Sequence, residues 1–147
     1  MKPTLRFASL AVGVAALSFG PLRPASADHN FEMPSGNISC EYNTYTGASG
    51  DSVVGMGCIV YELNLGSAAD GVCEEGSDRV VGFLVSRTGR ASYGCFDPTE
   101  FETAEVLAYG RVFRKGGVTC TSRKTGLTCK NLNNRGFAIS RGSQRLL

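Results

Sequence analysis

Six cysteines, at positions 40, 58, 73, 95, 120 and 129, are spread over a chain of 147 residues with no C-x-x-C pair among them. Thiols in such number either hold metal or join each other. A zinc knuckle needs closely spaced thiolate pairs or additional imidazoles, and the chain has one histidine, His29. Three disulfides are the expected state in an oxidising compartment. Six cysteines allow 15 connectivities and the sequence alone does not choose among them. Pairing in sequence order, Cys40 with Cys58, Cys73 with Cys95 and Cys120 with Cys129, is favoured because each pair encloses a stretch with the look of a hairpin or compact loop. Bridges around loops of this size stabilise by about 3 kcal/mol each in the chain-entropy account. Together they match a large part of the ~5–15 kcal/mol by which a typical domain is stable.

The start of the chain supplies the compartment. Lys2 and Arg6 precede an uncharged, mostly apolar run of 14 residues from Phe7 to Gly20, and Ala25-Ser26-Ala27 fits a small-residue cleavage site. This predicts a signal peptide over 1–27 and a single domain over 28–147, exported to the periplasm or the extracellular space. The run is too short to span a bilayer, which takes ~20 apolar residues. Removing it takes Lys2, Arg6 and Arg23 and leaves twelve bases against thirteen acids, so the +2 of the whole chain becomes −1.

Beyond the leader, short alternating segments separated by Gly, Asn, Asp and Ser predict a mainly β domain, a small antiparallel sheet or barrel built of hairpins. "NISCEY" puts Ile38, Cys40 and Tyr42 on one face, and "VVGMGCIVYEL" reads as its return strand across the loop "NTYTGASGDS". "RVVGFLVS" and "RASYGC" form a second hairpin about Thr88-Gly89, "VTCTS" and "GLTCKN" a third, and "GFAIS" a last strand. In the third, placing Cys120 opposite Cys129 sets Ser122 against Leu127 and leaves Arg123-Lys124-Thr125-Gly126 as the loop. One stretch has helical punctuation: Asp97 as N-cap, Pro98 at the first helical position, Glu100 where a capping box needs it and Gly110 as the stop, with Phe101, Ala104, Leu107 and Ala108 sharing a face. It predicts one short helix. Ser35-Gly36 ahead of Cys40 and Thr125-Gly126 ahead of Cys129 are alike, a turn glycine feeding a strand that ends in a bridge.

Charge is unevenly distributed. Residues 28–105 hold all thirteen acids against Arg79, Arg87 and Arg90, a net of −10, while residues 106–147 hold nine bases and no acid. The plainer expectation is that the halves pack together and offset one another. The sharper one is a basic binding surface made by Arg123, Lys124, Lys130 and Arg135 with Tyr109 as an exposed aromatic, taking a protein or an anionic envelope polymer as partner, with nucleic acid not expected for an exported monomer.

Little in the sequence serves catalysis. His29, next to the cleavage site, is expected at a mobile chain end and does not supply a positioned imidazole. Asp97, Glu100, Glu102 and Glu105 are accounted for by capping and solvation, and no nucleophile elbow, phosphate loop or cofactor fingerprint appears, so neither a catalytic residue nor a cofactor is assigned. Glu41 and Asp97, if they converged in a cleft, would reopen an acid-based hydrolase. The bridged loop "CTSRKTGLTC" offers a further alternative, a small inhibitor presenting Arg123 and Lys124 to a trypsin-like pocket.

"FEMPSGNISC", "LAYG", "CTSRKTGLTCKN" and "RGFAISR", in this order, resemble a family of small exported bacterial six-cysteine proteins of unknown function. The resemblance covers nearly all of the chain after the leader. It implies a secreted, cysteine-bridged single domain and carries no catalytic assignment. The function expected is a non-catalytic binding or interaction module of the cell envelope or extracellular space.

Overall fold

Alternation of apolar and polar residues drives strands to pair, and the pairing produces two sheets. The computed structural model describes residues 29–46, 50–62, 70–101 and 105–147; the expected leader lies outside the described residues. The first sheet holds β1 (Asn30–Glu32), β2 (Ile38–Thr46), β3 (Ser52–Val60), β4 (Val80–Ser86), β5 (Ser92–Phe96) and β6 (Glu105–Val106), in the order β5-β4-β3-β2-β1-β6. Its neighbours are antiparallel except β6, which lies parallel to β1. The second sheet is a plain meander of β7 (Val112–Lys115), β8 (Val118–Arg123), β9 (Gly126–Lys130), β10 (Gly136–Ile139) and β11 (Gln144–Leu146). Every strand of the first sheet precedes every strand of the second along the chain.

The sheets pack face to face, as two half-apolar surfaces must. Phe31 of β1 meets Phe113 of β7 with ring centroids 4.9 Å apart, and Phe83 of β4 meets Phe137 of β10 at 5.5 Å. Ile38, Met56, Val85, Val118, Leu127 and Ile139 complete this layer. Two disulfides lie within it: Cys40 faces Cys58 across β2 and β3, and Cys120 faces Cys129 across β8 and β9, with Cα atoms 4.1 and 4.0 Å apart. The third joins Cys73, in the β3–β4 connection, to Cys95 of β5 at the half-buried margin. All three join neighbours in sequence order.

The first sheet has a second core on its other face, made by Ile59, Phe96 and Phe101 with Tyr45, Val80 and Leu84 against them. Glycine makes room for it. A Cβ at Gly57 would lie 2.6 Å from the Tyr45 hydroxyl and 2.8 Å from the Phe96 ring, and Cβ atoms at Gly82 and Gly94 would also strike Phe96. The ring therefore lies in a trough of three glycines.

The helix expected from Asp97 to Gly110 does not form. A single 3-10 turn, Pro98–Phe101, takes its place, and residues 102–104 of the expected helix, Ala104 among them, lie outside the described residues. The start signal is real: the Asp97 carboxylate accepts from the Thr99 N–H at 2.9 Å and its hydroxyl at 2.7 Å, which holds this carboxyl below its usual range. What overrides continuation is tertiary. Phe101 is buried in the second core, and Glu105–Val106 pair with the open edge of β1, where the Leu107 N–H also reaches the Glu32 carbonyl at 2.9 Å. A short helix of local signals alone is marginal in water and loses to such partners.

The third hairpin has the expected register, Cys120 opposite Cys129 and Ser122 opposite Leu127, but Arg123 also pairs with Gly126, so the tip is two residues, Lys124-Thr125, and not four. Asn131, at the end of β9, ties the sheets together: its Nδ2 donates to the carbonyls of Ser86 (3.0 Å) and Gly89 (2.7 Å), and its Oδ1 accepts from the N–H groups of Asn133 (3.0 Å) and Arg135 (3.1 Å). Asn133 adds a bond to the Thr88 carbonyl at 2.8 Å.

Candidate functional site

Because the chain builds one sheet after the other, its charge asymmetry becomes a spatial one. The acidic segment forms the first sheet and its connections, and the basic segment forms the second. The layer between them is apolar, so the two charge populations are not brought together there. Arg111, Arg114, Arg123, Lys124, Lys130, Arg135, Arg141 and Arg145 are all exposed.

Strand parity then decides which of them share a surface. Cys120 and Ser122 point inward, so Thr119, Thr121 and Arg123 point outward. Register extends this face across the sheet: Arg114, Thr119 and Lys130 make one cross-strand row, and Val112, Thr121, Thr128, Ala138 and Arg145 the next. Neighbouring strands lie ~5 Å apart, so Arg114 and Lys130 flank Thr119 within roughly 10 Å of each other. The result is an outer face of threonines bordered by Arg114, Arg123, Lys130 and Arg145, built from a segment without an acidic side chain.

A groove of about 330 Å³ opens at one end of the sandwich, where three turns meet. The β1–β2 turn contributes Met33, Ser35 and Asn37, the β8–β9 tip Arg123, Lys124 and Thr125, and the β10–β11 turn Ser140 and Arg141. Tyr109 completes the rim. It is held there because the ladder between β7 and β8 runs on: Ser122 donates its N–H to the Arg111 carbonyl at 3.0 Å, accepts from the Gly110 N–H at 2.8 Å, and gives its hydroxyl to the Leu107 carbonyl at 3.0 Å. Gly110, at φ 84°, makes the corner. Arg141 pairs with Glu62 at 2.9 Å, both side chains well exposed.

Of the residues that sequence singled out, Arg123, Lys124 and Tyr109 come together at this groove, and Arg123 also borders the outer face. Lys130 is on the outer face but at the other end of β9, and Arg135 follows it in the turn beside Asn131. Arg114, Arg141 and Arg145 went unrecognised as members of either surface; the alternation of "VFRK" about the Gly116-Gly117 turn was the available signal for Arg114. Among the tyrosines, Tyr109 is 39% exposed, whereas Tyr42 packs over Gly116 and Tyr45 against Gly57 and Phe96. Burial pushes the Tyr45 phenol up, and its hydroxyl donates to the Glu41 carbonyl at 2.8 Å.

The acidic pair whose convergence would have reopened a hydrolase, Glu41 and Asp97, is engaged separately. Burial, then the charge of Glu100, raises the Glu41 carboxyl above its usual range, and Asp97 is engaged with Thr99 instead. Glu41 Oε1 accepts from Asn43 at 3.2 Å, while Oε2 is sealed from solvent without a partner. The acid whose charge acts on Glu41 is Glu100, and not Asp97. His29 is also placed differently: its carbonyl accepts from the Tyr42 N–H at 2.6 Å, at the start of β1, so it does not sit on a loose end. Among the described residues, no cluster of three or more His, Cys, Asp or Glu side chains has the arrangement of a metal site, and no helix is long and apolar enough to cross a membrane.

Neither the curated proteins nor the solved structures contain a match to this chain. A family model, described as "Family of unknown function (DUF6636)", matches residues 12–147, and the chain belongs to that family.

Proposed function

We propose that this protein is an exported, non-catalytic binding module that engages an anionic envelope polymer through the outer face of its second sheet. One observation carries the reading: exposed cations border a threonine face built from residues 106–147, which contain no acidic side chain. Polyanions bind such faces largely by releasing their condensed counterions, so the geometry demands spaced cations on an accessible surface and little else. The three disulfides are compatible with an oxidising, extracytoplasmic setting, where cell-surface polymers are found. The two-residue tip at Lys124-Thr125 offers a protease only a short turn to seat, which weighs for the polymer reading over an inhibitor.

Retention on immobilised heparin is the test. Elution should come at moderate salt, and Arg114→Glu with Lys130→Glu should bring it to much lower salt, with log affinity against log salt flattening by about two to four because two cations are lost and two anions gained. No retention at low salt would overturn the proposal.

A further inference from the structure

The outer face explains attraction to charge but not choice among polyanions, and the groove differs from it in having an aromatic ring. We infer that the groove bounded by Tyr109, Arg123, Lys124 and Arg141 binds an acidic sugar, a pyranose ring bearing a carboxylate, as one unit of the polymer that the second sheet attracts; the inference rests on that reading of the sheet.

Three features select this ligand. The first is size: about 330 Å³ is near the lower end of the ~300–1,000 Å³ of small-molecule sites, suited to a ring-sized unit. The second is the ring of Tyr109, whose negative π face suits the electropositive C–H face of a pyranose; it is exposed at 39% and has its backbone fixed by the Gly110–Ser122 bond. The third is the pairing of cations with small polar groups. Arg123 and Lys124 are free of any carboxylate on their own strand and tip, and Ser35, Thr125 and Ser140 line the same space. A hydroxylated, singly charged ring uses all of these, whereas a bare phosphate chain uses the cations alone.

The walls are set before a ligand arrives. In the β1–β2 turn, the Gly36 N–H reaches the Met33 carbonyl at 2.8 Å and the Glu62 N–H donates to Asn37 Oδ1 at 2.9 Å. In the β10–β11 turn, the Ser140 N–H donates to the Ser143 carbonyl at 2.8 Å, and Gln144 Nε2 to the Ser140 carbonyl at 2.8 Å. Gly126, at φ 133°, lets the floor close, since a Cβ there would lie 2.4 Å from the Ile139 carbonyl. Glu62 occupies Arg141 in the free protein, but an exposed pair of this kind is worth at most about 1 kcal/mol, so a sugar carboxylate can displace it.

The experiment compares calorimetric titrations of the oxidised protein with an oligogalacturonate and with inorganic polyphosphate of equal charge, at one low salt concentration. The uronate should bind about tenfold more tightly. Tyr109→Ala should erase that preference and leave polyphosphate affinity unchanged, and Tyr109→Phe should restore it, because the ring and not the hydroxyl is used. Equal affinities for the two probes in the native protein, or an equal loss for both in Tyr109→Ala, would overturn the sugar site while leaving the basic sheet intact. No binding of either probe would overturn the sheet and the groove together.

Discussion

The first sheet is buried on both faces and the second on one, and this difference governs both what each can do and how plainly each is written in the sequence. In β3, the last six residues, Gly55 to Val60, are all buried, so the strand loses its alternation and needs glycine where two layers press on it. In β8 and β9 inward and outward residues strictly alternate, because one side meets the core and the other meets water. The first sheet thus serves as the body of the protein. The second is left with a free face, and chemistry that is not needed for packing can accumulate there.

Removing disulfides breaks this comparison most forcefully. The pairs Cys40–Cys58 and Cys120–Cys129 lie in the shared core and Cys73–Cys95 at the margin. Each is worth about 3 kcal/mol through chain entropy, the marginal one no less, since it closes the longest loop. Double alanine variants of the two core pairs should cost more than this, because they also leave a hole between the sheets. Urea midpoints would measure the difference, and equal losses from core and marginal pairs would show that the core pairs act only as tethers.

A gentler probe makes one small substitution in each sheet in turn. Gly57→Ala should destabilise by about 1–3 kcal/mol, since Tyr45 and Phe96 have to move. Thr128→Ala, which removes atoms from the open face of the second sheet, should change stability by no more than about 0.5 kcal/mol. Comparable shifts for the two would mean that the outer layer of the first sheet is loosely packed.

An effect smaller than that of Gly57→Ala has a pH signature. The folded state raises the Glu41 carboxyl above its ordinary 4.5, so folded protein binds that proton more tightly than unfolded chain. The penalty is complete above the raised value and vanishes as pH falls through it to below 4.5. Glu41→Gln should therefore stabilise at pH 7, by less than about 1 kcal/mol because the residue is only partly buried and solvent screens the charge, and the gain should disappear by pH 4. A gain that persisted at pH 4 would point to packing and not to charge.

The β class, the three central hairpins, the register of the third and the disulfide order were legible because alternation, turn glycines and paired cysteines are local signals. Four short strands were not, β6 because it lies within the expected helix. β1 and β11 have three residues each, too few to show a period, and β7 was overlooked although Gly116 and Gly117, at φ 55° and 84°, are the mark of a two-residue hairpin. The helix expected from Asp97 to Gly110 was misread because nothing in those residues announces the vacant edge of β1 that captures Glu105 and Val106. The candidate site was half legible: Tyr109, Arg123 and Lys124 were recognisable as a charged aromatic cluster, but Arg141 reaches them only through the turn between β10 and β11, and a free sheet face cannot be foreseen without knowing which strands have a neighbour above them.

Asn131 fastens the sandwich by neutral bonds to two carbonyls of the opposing hairpin, while at the far end of β9 the sheets are bridged by the exposed pair of Glu62 and Arg141. The molecule therefore behaves like a book with a stitched spine and a loosely latched cover. When it breathes, its leaves should part first at the groove, and rising ionic strength should ease the latch without touching the stitching.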